Sequence, residues 1–191
     1  MLTRMPPTVR ILVAASLGYA IGCVPIANSV ARRHGVADLR TVGDHNPGYW
    51  NAREQLGVRV SAPIFAGDVA KGVAAVALAR SVSGPWWTAY VAGGAAMVGH
   101  AYPALDGWHG GRSVLTFVGA ASVLAPRPAA LSVAALGATF VVTHRFDVAA
   151  RVGIAAFPFL QFATKGAKRT AASGVLMSFI GLRFAQALVV E

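Results

Sequence analysis

Acidic residues are scarce in this sequence. Seven Asp and Glu stand against 17 Lys and Arg, a net charge of +10 over 191 residues, and only 13% of the chain is charged. Soluble domains carry about 25% charged residues, so this balance argues against a water-soluble globule. Cysteine is almost absent. Cys23 alone cannot form an internal disulfide, and no Cys/His cluster occurs at metal-ligand spacing. It reads as a small buried hydrophobe. There is no G-x-S-x-G elbow, no H-E-x-x-H and no Walker sequence, which leaves a covalent serine enzyme, a zinc enzyme and a P-loop enzyme without support. Neither a metal nor a cofactor is expected. No 20- to 50-residue repeat, low-complexity tract or linker divides the chain. It is read as a single membrane-embedded domain over residues 1–191.

What is abundant is apolar sequence: 55% of residues are hydrophobic and the mean hydropathy is +0.57. A membrane span needs roughly 20 mostly apolar residues. Seven runs approach that, at Ile11–Ala31, Val58–Ala79, Pro85–Tyr102, Val114–Leu124, Ala129–Thr143, Ala150–Ala163 and Ala171–Val190. No stretch alternates with the period of a barrel strand. The expected fold is therefore all-α, a polytopic bundle of about seven transmembrane helices. The basic-then-apolar N-terminus is read as a retained helix, not a removed leader. Arg32, Arg33, Arg40, Arg53 and Arg59 crowd the first loop and predict that it faces the cytoplasm, with the N-terminus outside. The basic run at 165–169 falls on the other side and argues against that orientation. In so apolar a chain, the positive surplus points to anionic lipid headgroups rather than nucleic acid, and it would also attract phosphorylated substrates.

Two polar loops interrupt the apolar pattern. In "DHNPGYWNAR", Asn46, Gly48 and Asn51 offer amide groups and a sharp turn, and Arg53 adds a fork of donors suited to phosphate. In "GHAYPALDGWHGGRSVLT", Gly110 and Gly111 allow close backbone approach and Arg112 supplies charge. Ser113 and Thr116 supply hydroxyls at the start of a helix, whose N-terminus favours anions. His109 is placed to hold a proton or a phosphate oxygen; His100 precedes it near the membrane surface, where a structural role competes with a chemical one. Between the loops, Asp68 and Lys71 share one helix face. Each is costly in hydrocarbon, by roughly 2.5–3.5 kcal/mol, and pairing offsets much of that. They read as a local ion pair, a support for the loops, or a phosphate contact through Lys71.

Taken together these residues resemble the bacterial membrane glycerol-3-phosphate acyltransferases that use acyl phosphate as donor (PlsY-like). The family's S-G-N-x-G-A-T-N-x-x-R is similar to the run from Asp44 to Asn51, with Asp44 and His45 in place of its first two residues and Arg53 one place early. Its D-x-x-K-G matches Asp68, Lys71 and Gly72. Its G-H-x-x-P and G-F-K-G-G-K-G-V-A-T resemble Gly99, His100 and Pro103, then Gly107 to Thr116, with His109 and Arg112 in place of the two lysines. A third, C-terminal motif is reduced to Arg183 within "GLRFAQAL". The resemblance implies acyl transfer from acyl phosphate to glycerol 3-phosphate, giving lysophosphatidate and phosphate, beside membrane lipid in the cell's inner or plasma membrane. It assigns phosphate binding to Arg53, Arg112, Gly110, Gly111, Ser113, Thr116 and Lys71. Asn46 and Asn51 would position the acceptor, with Gly48, Asp68 and His100 in support. His109 or His45 would act as base, unless a substrate phosphate takes the proton. The alternative is a catalytically impaired relative that binds anionic lipid or glycerophosphate, or scaffolds a lipid-synthesis complex. A third reading, a small transporter, has the intramembrane Asp68 and Lys71 in its favour, but the sequence shows no inverted repeat of the sort many transporters carry.

Overall fold

In a computed structural model the chain folds into α-helices, with no strand among the described residues, 6–82 and 84–190. The helices are α1 (Pro7–Gly22), α2 (Ile26–Arg33), α3 (Tyr49–Ser81), α4 (Thr88–Ala101), α5 (Val114–Leu124), α6 (Pro126–Thr143), α7 (Phe146–Lys165) and α8 (Ala167–Val190). A short 3-10 turn, Leu39–Thr41, sits between α2 and α3. Gly57 breaks α3, adopting φ 81° and ψ 169°, a region open to glycine and forbidding to residues with a Cβ.

Small residues set how the helices pack. A Cβ on Gly18 or Gly22 would collide with the backbone of Ala92 or Ala96, so α1 and α4 run side by side in parallel with their backbones nearly touching. A Cβ on Gly72 would meet the Thr116 carbonyl oxygen, and one on Gly119 the Val69 carbonyl oxygen; α3 and α5 cross there at equally close range. Small residues of this kind replace the hydrophobic drive for helix association that lipid cannot supply. α6 with α7, and α7 with α8, form antiparallel hairpins. The core they enclose is built largely of Ala92, Met97, Ala120, Val76, Phe117 and Phe157. Leu12, Val142, Phe159 and Val175 remain exposed on the outer surface, as a hydrocarbon solvent allows.

These contacts fix the two ends of the bundle. The C-terminal ends of α1, α4 and α8 share one end with the N-terminal ends of α3 and α5. Residues 23–48 and 102–113 therefore lie at the same end, here called the loop face. The turns before α4 and α8 lie at the opposite face.

One expectation needs correction. Ile11–Ala31 is not one continuous helix: α1 stops at Gly22, and Cys23 to Pro25 turn the chain into α2. Pro25 has no N–H for a helical ladder. α2 is amphipathic and folds back, burying Ala27, Asn28 and Ala31 against Leu39, Ala52 and Ile64. The all-α, multi-pass bundle is as expected, and four of its segments are long and apolar enough by length and composition to cross a bilayer: Pro7–Arg33, counting α1 and α2 together, Tyr49–Ser81, Pro126–Thr143 and Phe146–Lys165. α4 and α5 have 14 and 11 residues, only about 21 and 17 Å at 1.5 Å per residue. Both are sheathed by other helices, so neither must present a full hydrocarbon-length surface to lipid. Cys23 is buried and unpaired, as expected. Arg4, part of the basic N-terminus, lies outside the described residues.

Candidate functional site

The site begins with three titratable side chains at the meeting of α3 and α4. Asp68, Lys71 and His100 are 2%, 6% and 8% exposed. Lys71 Nζ lies 3.0 Å from Asp68 Oδ1. His100 Nδ1 lies 3.3 Å from Lys71 Nζ and 3.4 Å from Asp68 Oδ1. Spacing of three on α3 puts the first two on one face, and the antiparallel α4 brings His100 to them. Charges this deep persist when paired. The other ring nitrogen of His100, Nε2, packs against Gly111, where a Cβ would overlap it. The buried cluster is thus joined directly to the 102–113 loop.

That loop is held by backbone bonds. Gly110 N–H donates to the Ala101 carbonyl and Gly111 N–H to the His100 carbonyl. The two glycine amides expected to cradle phosphate are spent in this way, and the glycines act instead by letting the loop approach His100. The unpaired donors lie just beyond. The first backbone bond of α5 runs from Phe117 N to Ser113 O, so the amides before it are the orphans of a helix N-terminus, favourable to anions. Ser113 sits at φ 63° and Trp108 at φ 63°, conformations that cost non-glycine residues energy and cluster at functional sites. The Ser113 hydroxyl donates to the Met97 carbonyl at 2.7 Å. Thr116 is fully buried and its Oγ1 has no partner.

The 23–48 segment meets this loop at two points. Arg112 Nη1 lies 2.8 Å from Asp44 Oδ2, with its guanidinium 4.8 Å from the Phe184 ring centroid. Asp106 accepts from Asn28 Nδ2 at 2.9 Å, and from Arg32 and Arg40 at 3.4 and 3.3 Å. Arg40 also donates to the Asp106 and His109 carbonyls at 2.6 and 3.1 Å, and is held by Asp38 at 2.7 Å. Its hydrogen bond and charge hold the Asp38 carboxyl below the usual carboxylate range. Asn28, Asp38 and Asp106 were missed by sequence reasoning, and Arg32 and Arg40 were read only as a signal of orientation. The one available signal was a lone acid in a loop facing a segment rich in arginine. Arg183 of α8 donates to the Gly110 carbonyl at 3.0 Å and sits 4.7 Å from the Tyr102 ring centroid, closing the site from a third side.

Other residues singled out from sequence fall elsewhere. Asn51 is buried and its Nδ2 donates to the Leu39 and Val42 carbonyls, both at 2.9 Å; it ties down the loop. Asn46 N–H donates to Asp44 Oδ1 at 3.2 Å, and Gly48 N–H to the Asn46 carbonyl at 2.8 Å. His45 is exposed and its Nδ1 pairs with the Arg40 carbonyl at 2.9 Å. His109 is exposed too, its Nδ1 pairing with the Gly107 carbonyl at 2.7 Å. Arg53 lies on the exposed side of α3, 5.0 Å from the Trp50 ring centroid. The cleft between the loops is lined by Asn28, Asp68, Lys71, His100, Asp106 and Gly111 among others, and its volume is about 20 Å³, room for about one water. Among the described residues no cluster of His, Cys, Asp and Glu is arranged to hold a metal ion.

Residues 12–189 match the family model described as glycerol-3-phosphate acyltransferase. A glycerol-3-phosphate acyltransferase of Rubrobacter xylanophilus is 41% identical over 145 residues, covering 75% of this chain and 71% of that one. Another, from Clostridioides difficile, is 32% identical over 159 residues, covering 81% and 78%. The fold is shared with crystal structures of PlsY (YgiH), an integral membrane glycerol 3-phosphate acyltransferase. The glycerol 3-phosphate form aligns with TM-score 0.81 at 24% identity, over 93% of this chain and 90% of that one. The lysophosphatidic acid form aligns with TM-score 0.79 at 22% identity, over 93% and 89%.

Proposed function

The chain belongs to the glycerol-3-phosphate acyltransferase family, and from that premise we propose a mechanism, a donor and an orientation for it. It is a multi-pass membrane enzyme that transfers an acyl group to glycerol 3-phosphate in phospholipid synthesis. The donor is an acyl phosphate, whose carbonyl is already activated, so no protein nucleophile is needed. The acceptor hydroxyl oxygen attacks the acyl carbonyl carbon, the bond from that carbon to the phosphate oxygen breaks, and inorganic phosphate leaves with the electron pair. Holding both substrates in line supplies much of the rate.

Arg112 and the free amides at the start of α5 bind phosphoryl oxygens, with Asn46 beside them. Lys71, held by Asp68, places positive charge at the cleft floor, where the developing oxyanion needs it. The hydroxyl proton passes to His100 or to the departing phosphate. His100 is preferred to His109 or His45 because its ring lines the cleft while theirs fold back onto their own loops. The acyl chain lies along the apolar flank of the helices. The loop face points to the cytoplasm of a plasma membrane, in keeping with its dense arginines.

The observation that carries this reading is the Arg112–Asp44 contact, which joins the two polar loops next to Gly111, itself packed on His100 of the buried Asp68–Lys71–His100 cluster. Purified protein in detergent, given palmitoyl phosphate and labelled glycerol 3-phosphate, is expected to release lysophosphatidate and phosphate in equal amounts. Turnover with palmitoyl-coenzyme A and none with palmitoyl phosphate would refute the donor assignment.

A further inference from the structure

We propose that the opposite face holds a binding site for the phosphodiester headgroup of an anionic phospholipid, in the leaflet away from the transfer site. A cleft of about 220 Å³ opens there, between the end of α3, the start of α4 and the start of α8. It is far roomier than the cleft at the loop face. Arg80 and Arg169 line it, together with Trp86, Thr88 and Tyr90. Among the described residues neither arginine has a carboxylate within ion-pair distance: Arg80 donates to the Val123 carbonyl, and Arg169 lies 5.6 Å from the Trp86 ring centroid.

Three further features give the cleft the chemistry of an anion site. The N-terminal turn of α4 opens into it, bringing the positive end of a helix dipole. Thr88, at that turn, is 2% exposed, and its Oγ1 has no hydrogen-bond partner, an arrangement that costs energy unless a ligand supplies one. Among the described residues, the charge around it is of one sign. Arg80, Arg127, Lys165, Lys168 and Arg169 lie at this face, while Asp38, Asp44, Glu54, Asp106 and Asp147 all lie toward the loop face. Trp86 and Trp87 are part-exposed beside the cleft, as interfacial tryptophans at headgroup depth are. A phosphodiester entering from that layer would meet two guanidiniums, free amides and a hydroxyl, while its acyl chains stay in lipid.

Native mass spectrometry of the full chain in detergent reads the site. Short-chain phosphatidylglycerol, phosphatidylcholine and sodium phosphate are titrated separately and in competition. The Arg80→Gln/Arg169→Gln variant is expected to bind phosphatidylglycerol at least about tenfold more weakly, since each basic residue near a lipid surface contributes on the order of a factor of five. Arg127→Gln/Lys165→Gln removes the same charge from the same face outside the cleft and should leave that affinity within about twofold. Phosphatidylcholine and millimolar phosphate should neither occupy the site nor displace phosphatidylglycerol. Thr88→Val keeps shape and charge, so it reads the site even if the double variant fails to fold; it should weaken phosphatidylglycerol several-fold. Equal losses in both double variants would reduce the effect to diffuse charge and overturn the proposal. So would displacement by phosphate, or no loss with Thr88→Val.

Discussion

Arg112 already has two partners, the Asp44 carboxylate and the Phe184 ring, and a substrate phosphate competes with the first. The pair is part-exposed, so its strength is about 0.2–1 kcal/mol. Asp44→Ser is therefore expected to lower KM for glycerol 3-phosphate about two- to fivefold, measured by steady-state turnover; a raised KM would mean that Asp44 contacts the acceptor instead. The histidines separate in the same way. His100→Gln should cost about 10²-fold or more in kcat, the scale of a lost proton-transfer group. His109→Ala, whose ring faces its own loop, should retain most activity. At Asp38 the sign follows from its lowered carboxyl value. The stabilisation from Arg40 is present above the ordinary 3.8 and fades as pH falls below it toward the lowered folded value. Hydrogen exchange at Leu39 should accelerate on that acidification in the native protein and show no such step in Asp38→Asn. Much of this chemistry was readable locally. Asp68 and Lys71 advertise a pair by their spacing, and Gly110–Gly111–Arg112 advertises a close-approach loop. Arg40 and Asp106 do not, because partners 66 positions apart leave no local pattern. Nor does the contact of His100 with Asp68 and Lys71, because those neighbours come from another helix.

At the scale of elements, apolar run length predicts helices well in this chain. Val114–Leu124 emerges with the boundaries read from sequence, and Gly57 sets the start of the apolar part of α3. The α1–α2 break was hidden because both sides of Pro25 are uncharged over many residues, and hydropathy does not report direction. Nor does it report which helices are sheathed, which is why α4 and α5 can be short. Close crossing is a property of named glycines. Gly72→Val would push a side chain into the Thr116 carbonyl and part α3 from α5, displacing Lys71 beside it. Overpacking of this kind costs about 1–3 kcal/mol. The thermal midpoint in detergent should fall and turnover with it, whereas Gly174→Ala, with nothing within 4 Å of its added Cβ, should change neither. An unchanged midpoint in Gly72→Val would show that the crossing is looser than described.

At the scale of the whole molecule, the bundle separates two kinds of polar surface. The loop face mixes acids with arginines in a stapled network over a narrow cleft. Among the described residues, the charged side chains at the opposite face are all cationic. The proposed orientation predicts that a cysteine at Lys165 reacts with an impermeant maleimide on intact cells, and that one at His109 reacts only after permeabilisation. The reverse pattern would invert the protein in its membrane. The joining of the two loops through Arg112, next to the Gly111 that packs on His100, is the feature on which the catalytic account stands. Its most direct test is kcat/KM for glycerol 3-phosphate with palmitoyl phosphate as donor, compared between the native protein and Arg112→Ala. Loss of a charge-assisted phosphate contact predicts a fall of about tenfold or more, with the thermal midpoint retained. Native kcat/KM in Arg112→Ala would contradict the account.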